Sequence, residues 1–183
     1  MQTKVPVLFV HQRSNYKKVP GFDCYDEKRN ALTYAGSCPV IAHPPCRLWS
    51  RLKGLSTAPA SEKNLALWSV KLVRAVGGIV EHPYDSKLWE EINCPGVGEF
   101  DKFGGTSFVF DQFDFGYYTR KRTRIYIVGL NSLSELPRSN LRFEPVARKF
   151  DNLSPKQRSE TTPELCLWFL EIIKKISENK SLK

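Results

Sequence analysis

Cys46 ends the segment Ile41-Ala42-His43-Pro44-Pro45-Cys46 and carries a thiol on a stiff mount. The two prolines fix the backbone and remove two amide donors, so the next side chain stands on a sharp turn at the end of an apolar run. A thiol presented there is placed to act as a nucleophile. Glu81 closes a second apolar run, Gly78-Ile79-Val80, and supplies a carboxyl able to hold or protonate a ring nitrogen. A third run, Thr119 to Gly129, opens with the basic cluster Arg120-Lys121-Arg122-Thr123-Arg124. Arg122 and Arg124 are alternate residues and point the same way if the chain is extended. Guanidinium forks suit phosphate or carboxylate. Each group also has a plain structural role open to it: a buried cysteine, an ion pair with one of the arginines, and a solvated strand start.

The elements around these segments predict how they are held. Val5 to Val10 reads as a buried central strand. Phe22 to Tyr25 and Pro39 to Ala42 read as two further strands, and Glu27 to Tyr34 as two helical turns. Arg47 to Pro59 reads as a loop, and a helix starts at Ser61, which caps it. The stripe Leu65, Leu67, Trp68, Leu72, Val73 and Val76 runs along that helix, and Gly77-Gly78 stops it. Ile79 to Glu81 is a fourth strand, and Ser86 to Ile92 a short helix. Thr106 to Phe110 and Arg124 to Leu130 are the last strands. Asn131 to Lys156 reads as irregular. A final helix spans Thr162 to Ile176, with Pro163 in its first turn, and residues 177–183 read as its frayed tail. Strands alternating with helices predict a single α/β domain whose mainly parallel sheet is flanked by helices, of Rossmann-like type. The carboxyl edge of such a sheet is where ligands bind.

Composition narrows the partners. The chain has 183 residues and a formal charge of +9, from 28 basic and 19 acidic residues. An excess of positive charge favours polyanions, so nucleic acid or a pyrimidine nucleotide is the expected partner. No apolar run approaches a bilayer span, and no apolar signal core opens the chain, which predicts a cytoplasmic protein with no membrane partner. Five scattered cysteines fit a reducing compartment. His11, His43, Cys46, His82 and Cys94 could ligate zinc, but no paired ligand spacing supports a metal, and none is expected. The run Phe108, Phe110, Phe113, Phe115, Tyr117, Tyr118 could stack bases or pack a sheet face.

The order of a Pro-Pro-Cys turn, a strand ending in glutamate and a basic element leading into Ile125-Tyr126-Ile127-Val128-Gly129 resembles the cytosine C5 DNA methyltransferases. The resemblance covers roughly residues 40 to 130 and extends to short phage or prophage proteins of the same pattern. It implies Cys46 as the nucleophile that adds to C6 of a pyrimidine and Glu81 as the acid that contacts N3. Arg122 and Arg124 match the two arginines of the family's Gln-x-Arg-x-Arg element, with Arg120 in the place of its glutamine. His82-Pro83 stands where the family has Asn-Val. His43, Pro45, His82 and Arg120 are then the substrate-binding candidates.

The resemblance also implies S-adenosylmethionine as donor, with Asp23 or Asp26 holding its ribose. Where the family has a Phe-x-Gly-x-Gly loop, this chain has His11-Gln12-Arg13-Ser14-Asn15, and no glycine precedes Gly21. Only residues 130–161 lie where the family carries a large target-recognition region. Such a chain would act on a free nucleotide or single strand, or borrow recognition from a protein partner. The other class of function open to it is a non-catalytic binder of nucleic acid or nucleotide on the same scaffold.

Overall fold

The structure is a computed structural model that describes residues 4–50, 54, 56–138 and 152–182. Residues 1–3, part of the Arg47 to Pro59 loop (51–53 and 55), half of the stretch Asn131 to Lys156 (139–151) and Lys183 lie outside the described residues.

Six strands form one sheet: β1 (Val5–Val10), β2 (Phe22–Asp26), β3 (Val40–Ala42), β4 (Gly78–Pro83), β5 (Gly105–Asp111) and β6 (Arg122–Val128). Their order is β2-β1-β3-β4-β6-β5. The first four run parallel, and β6 lies antiparallel between β4 and β5. The fold is α/β with a mixed, mostly parallel sheet flanked by helices, compatible with a Rossmann-like single domain. Among the described residues no helix is long and apolar enough to cross a membrane.

Two helical layers cover the faces. On one side α1 (Lys63–Val76) and α2 (Leu88–Glu91) pack on Leu8, Val40, Ala42, Val80, Tyr126 and Val128. On the other, α4 (Pro163–Ser181) packs Leu165, Phe169, Ile172 and Ile176 on Val7, Ile41, Ile79, Ile125 and Ile127. A strand's side chains alternate between faces, so even-numbered residues of β4 and β6 meet α1 and α2 while odd-numbered ones meet α4. Each such buried aliphatic or aromatic side chain contributes about 1.5–3 kcal/mol. A short helix, α3 (Pro155–Arg158), precedes α4.

Several local readings change. Ser61 lies inside a 3-10 turn (Ala60–Glu62) that leads into α1, so it does not cap that helix. Between Glu27 and Tyr34 only a 3-10 turn, Ala31–Thr33, forms. The last helix runs five residues past Ile176, to Ser181, because its end is tied down. Asn179 donates to the Gly129 carbonyl at 3.1 Å, and the Lys180 ammonium donates to the Val76 carbonyl at 2.7 Å. Phe110, Phe113, Phe115 and Tyr117 are buried, and Phe110 and Phe115 pack on Trp168, so these rings build core and are not open to stack on bases.

Gly78 sets how closely β3 and β4 approach. Its φ is +124°, and a Cβ there would lie 2.0 Å from the Val40 carbonyl oxygen. Gly78→Ala is expected to cost about 3–5 kcal/mol through strain and overpacking. Gly104→Ala, at φ +68° with nothing within 4 Å of the added atom, is expected to cost about 1 kcal/mol through φ alone. Denaturant unfolding of the two variants checks the contrast.

Candidate active site

The carboxyl ends of β1, β3 and β4 and the start of β6 share one edge of the sheet, and a cleft of about 960 Å³ opens there. His43, Cys46, Glu81, His82 and Lys121 line it, and the segment Arg158 to Thr161 forms part of its wall. That wall is pinned in place. Asn15 Nδ2 donates to Glu160 Oε1 at 3.1 Å and to the Thr161 carbonyl at 2.9 Å, and the Tyr118 hydroxyl donates to Glu160 Oε2 at 2.8 Å.

Glu81 is an odd-numbered residue of β4, so it faces the α4 side. Its Oε2 lies 2.9 Å from His43 Nδ1, and His43 Nε2 lies 2.9 Å from the Tyr16 hydroxyl. A carboxylate only accepts, so His43 carries a proton on Nδ1 and donates it to Glu81, with the Tyr16 hydroxyl at Nε2. Gln112 Nε2 approaches Oε1 at 3.4 Å and donates to Thr123 Oγ1 at 3.0 Å. Burial pushes the Glu81 pKa up, but the His43 hydrogen bond and the Lys121 ammonium outweigh it. The carboxyl sits below its usual range and is ionised at neutral pH.

The Cys46 thiol is pushed up, first by burial and then by the Glu81 charge, with Lys121 opposing. At neutral pH it is a thiol with a cation nearby. Burial pushes the Lys121 ammonium down, although Glu81, Cys46 and Glu160 favour its charged form. Its Nζ reaches the Glu160 carbonyl at 3.4 Å and lies 4.7 Å from the centre of the Tyr117 ring.

His82, an even-numbered residue, turns toward α2. Ser86 Oγ accepts from the Leu88 amide at 3.2 Å and sits 2.7 Å from His82 Nδ1. The Pro44 and Pro45 carbonyls face the ring, while Nε2 completes no hydrogen bond. Burial pushes His82 down to about 4, so it is neutral. Its place is behind the Pro44-Pro45 turn that carries Cys46.

The structure thus brings Cys46, Glu81, His43, Pro45 and His82 to one cleft and leaves Arg120, Arg122 and Arg124 outside its lining. Arg122 and Arg124 do point the same way, but toward α2. Arg122 stacks 3.7 Å over the Tyr84 ring, and Arg124 lies about as close to Tyr84 as to Trp89, at 5.9 and 6.0 Å. Arg120 is exposed and pairs with Asp111 at 3.5 Å. Of the basic cluster it is Lys121 that lines the cleft, a residue the sequence pattern did not single out. Its signal was parity: it shares odd numbering with Thr123 and Ile125, whose side chains lie on the Glu81 face. Gln112 and Tyr16 carried no sequence signal, because loops bring them in.

A second cleft, of about 1000 Å³, lies at the ends of β1 and β2 and shares Phe9, His11, Arg13 and Pro45 with the first. Asp26 lines it, but its oxygens are engaged. Oδ2 takes the Lys17 ammonium, and Oδ1 accepts from the amides of Lys28 and Arg29 at 3.0 Å each. Asp23 pairs with Arg29 and does not line the cleft. Phe9, at φ +61°, is the irregular residue of β1 where its register against β2 shifts, and its side chain lines both clefts. These residues do not fit the adenosyl cofactor that the resemblance implies. Among the described residues no group of three or more His, Cys, Asp or Glu could hold a metal ion.

No protein-family model matches this chain, and no curated protein matches its sequence.

Two measurements check the electrostatics. Removing the negative charge in Glu81→Gln lowers the Cys46 pKa, so alkylation by iodoacetamide at neutral pH should quicken about 3- to 10-fold, while Lys121→Met should slow it. Peptide mass spectrometry reads the rates, with exposed Cys38 as the internal reference. His82 has a folded pKa below its ordinary 6.5, so its stabilising effect is complete above that pH and is lost as pH falls toward 4. Unfolding free energy should drop by on the order of 1 kcal/mol per pH unit across that window, and His82→Asn should flatten the drop.

Proposed function

We propose that this chain is a pyrimidine C5-modifying transferase, resembling the DNA cytosine-5 methyltransferases, that acts on DNA or a nucleotide through a transient Cys46 adduct. The observation that supports it is the meeting of Cys46, Glu81 and Lys121 in one cleft at the carboxyl edge of the sheet. As the sulfur bonds to C6, the thiol proton leaves to solvent at the cleft mouth, and the Lys121 ammonium stabilises charge first on sulfur and then on the ring. The C5=C6 electron pair moves into the ring, which makes C5 an enamine- or enolate-like carbon able to take an electrophile. Loss of the C5 proton and expulsion of the thiolate restore the ring. Glu81 holds the ring edge, and His43, backed by Tyr16, fixes the orientation of Glu81. Arg13 and Lys18 on the cleft lining suit the phosphate of the substrate. No step runs through a methyl donor, because Asp23 and Asp26 are already engaged.

That engagement favours a second reading, a non-catalytic binder of nucleic acid or nucleotide on the same scaffold. Exchange of the C5 hydrogen separates the two, since an adduct at C6 makes C5 exchangeable without any donor. Incubated with pyrimidine nucleotides in deuterium oxide, the protein should label C5, and Cys46→Ala should abolish labelling without changing the melting temperature. Undiminished labelling by Cys46→Ala would refute the adduct. Binding without any labelling, with a steep loss of affinity in salt, would favour the binder.

A further inference from the structure

We infer that the ring this cleft accepts is of the uracil type, with an N–H at position 3 between two carbonyls, and not of the cytosine type. The inference rests on the adduct reading and deepens it by naming the base. It starts from the hydrogen-bond directions around Glu81. Oε2 faces His43 Nδ1 at 2.9 Å, and Oε1 faces Gln112 Nε2 at 3.4 Å. The Gln112 amide cannot simply turn over. Thr123 Oγ1 donates to the Lys121 carbonyl at 3.1 Å, so only its lone pairs are left for Gln112, and the amide must keep Nε2 toward it at 3.0 Å. The histidine is fixed by the carboxylate itself: an ionised Glu81 has no proton to give, so His43 Nδ1 is the donor to Oε2, with the Tyr16 hydroxyl at Nε2. Both carboxylate oxygens therefore meet protein N–H donors. A proton added to either would face a donor, and what Glu81 offers a substrate is an acceptor.

The cleft then presents an acceptor, Glu81, and a cationic donor, the Lys121 ammonium. The uracil edge is the complement: an N3–H to donate and carbonyls at C2 and C4 to accept. Cytosine turns the N3 lone pair toward the carboxylate. Its amino group can satisfy one oxygen but leaves that lone pair against the other.

The same arrangement favours uracil during attack. When sulfur bonds to C6 of uracil, the C5=C6 pair forms C4=C5 and the C4=O4 pair moves onto O4, an enolate that an ammonium can hold with no further proton. In cytosine the displaced pair arrives on N3 and requires a proton that an ionised, doubly hydrogen-bonded carboxylate does not carry. Lys121 is here the residue that replaces an acid, and Glu81 the residue that reads the base.

The test compares C5 hydrogen exchange for the intact protein with deoxyuridine monophosphate and deoxycytidine monophosphate, and with two single-stranded oligonucleotides that differ only in one U for C. The uracil member of each usable pair is expected to exchange about 10- to 100-fold faster, the range set by one buried acceptor facing an acceptor. Cys46→Ala should remove the signal. Equal rates, or faster exchange at cytosine, with the Cys46 dependence intact would overturn this inference and leave the adduct standing. Silence on all four probes would overturn the adduct, and the base assignment with it.

Discussion

A negative charge buried at the edge of a sheet has to be compensated, and the Glu81 carboxylate organises the residues around it. An isolated carboxylate out of water would take up a proton. Here His43 and Lys121 keep it ionised, and Gln112, from a third part of the chain, approaches its other oxygen. Each of those is itself held: His43 by Tyr16, Gln112 by Thr123, Lys121 by the Glu160 carbonyl. The cost of one desolvated charge is spread over a network, and every member is fixed in direction as a result. Burial first, and the same charge second, make the Cys46 thiol reluctant to ionise. The reactivity of the cleft is thus a balance between Glu81 and Lys121, and neither can be changed without moving the other.

The segments that deliver the site were legible in the sequence because they are strands with abrupt ends. The Pro44-Pro45 turn, the Gly77-Gly78 stop and the apolar run into Val128 mark three neighbouring strands, and the parallel order of β3 and β4 puts Cys46 and Glu81 at one edge. What could not be read was the face. The two-residue period fixes which side chains travel together, but only the register of β4 against β6, Glu81 opposite Ile125 and His82 opposite Arg124, says which set enters the cleft. A cluster of four basic residues in five positions offers both parities at once. Arginine's better fit to phosphate drew the reading to the wrong one, and the shorter, single-point cation was the one in place.

The residues contributed by loops were illegible for a different reason. Tyr16 sits in a 3-10 turn and Gln112 opens another, and nothing in either local sequence announces a long-range partner. The end of α4 was also misjudged: a lysine-rich terminus looks solvated, yet Asn179 and Lys180 close carbonyls left open at Gly129 and Val76. In both cases the deciding partner is far away in sequence, where pattern and propensity carry no information.

The wall of the cleft has a consequence for the order in which the chain is made. Asn15 clasps Glu160 and Thr161 across 145 and 146 positions. A ribosome emits the sulfur, the carboxylate and the ammonium well before it emits that clasp. During synthesis the nascent sheet edge stays unwalled. The cleft is therefore completed late, when the C-terminal part of the polypeptide docks, so an interrupted translation product would carry the thiol, the carboxylate and the ammonium without that wall.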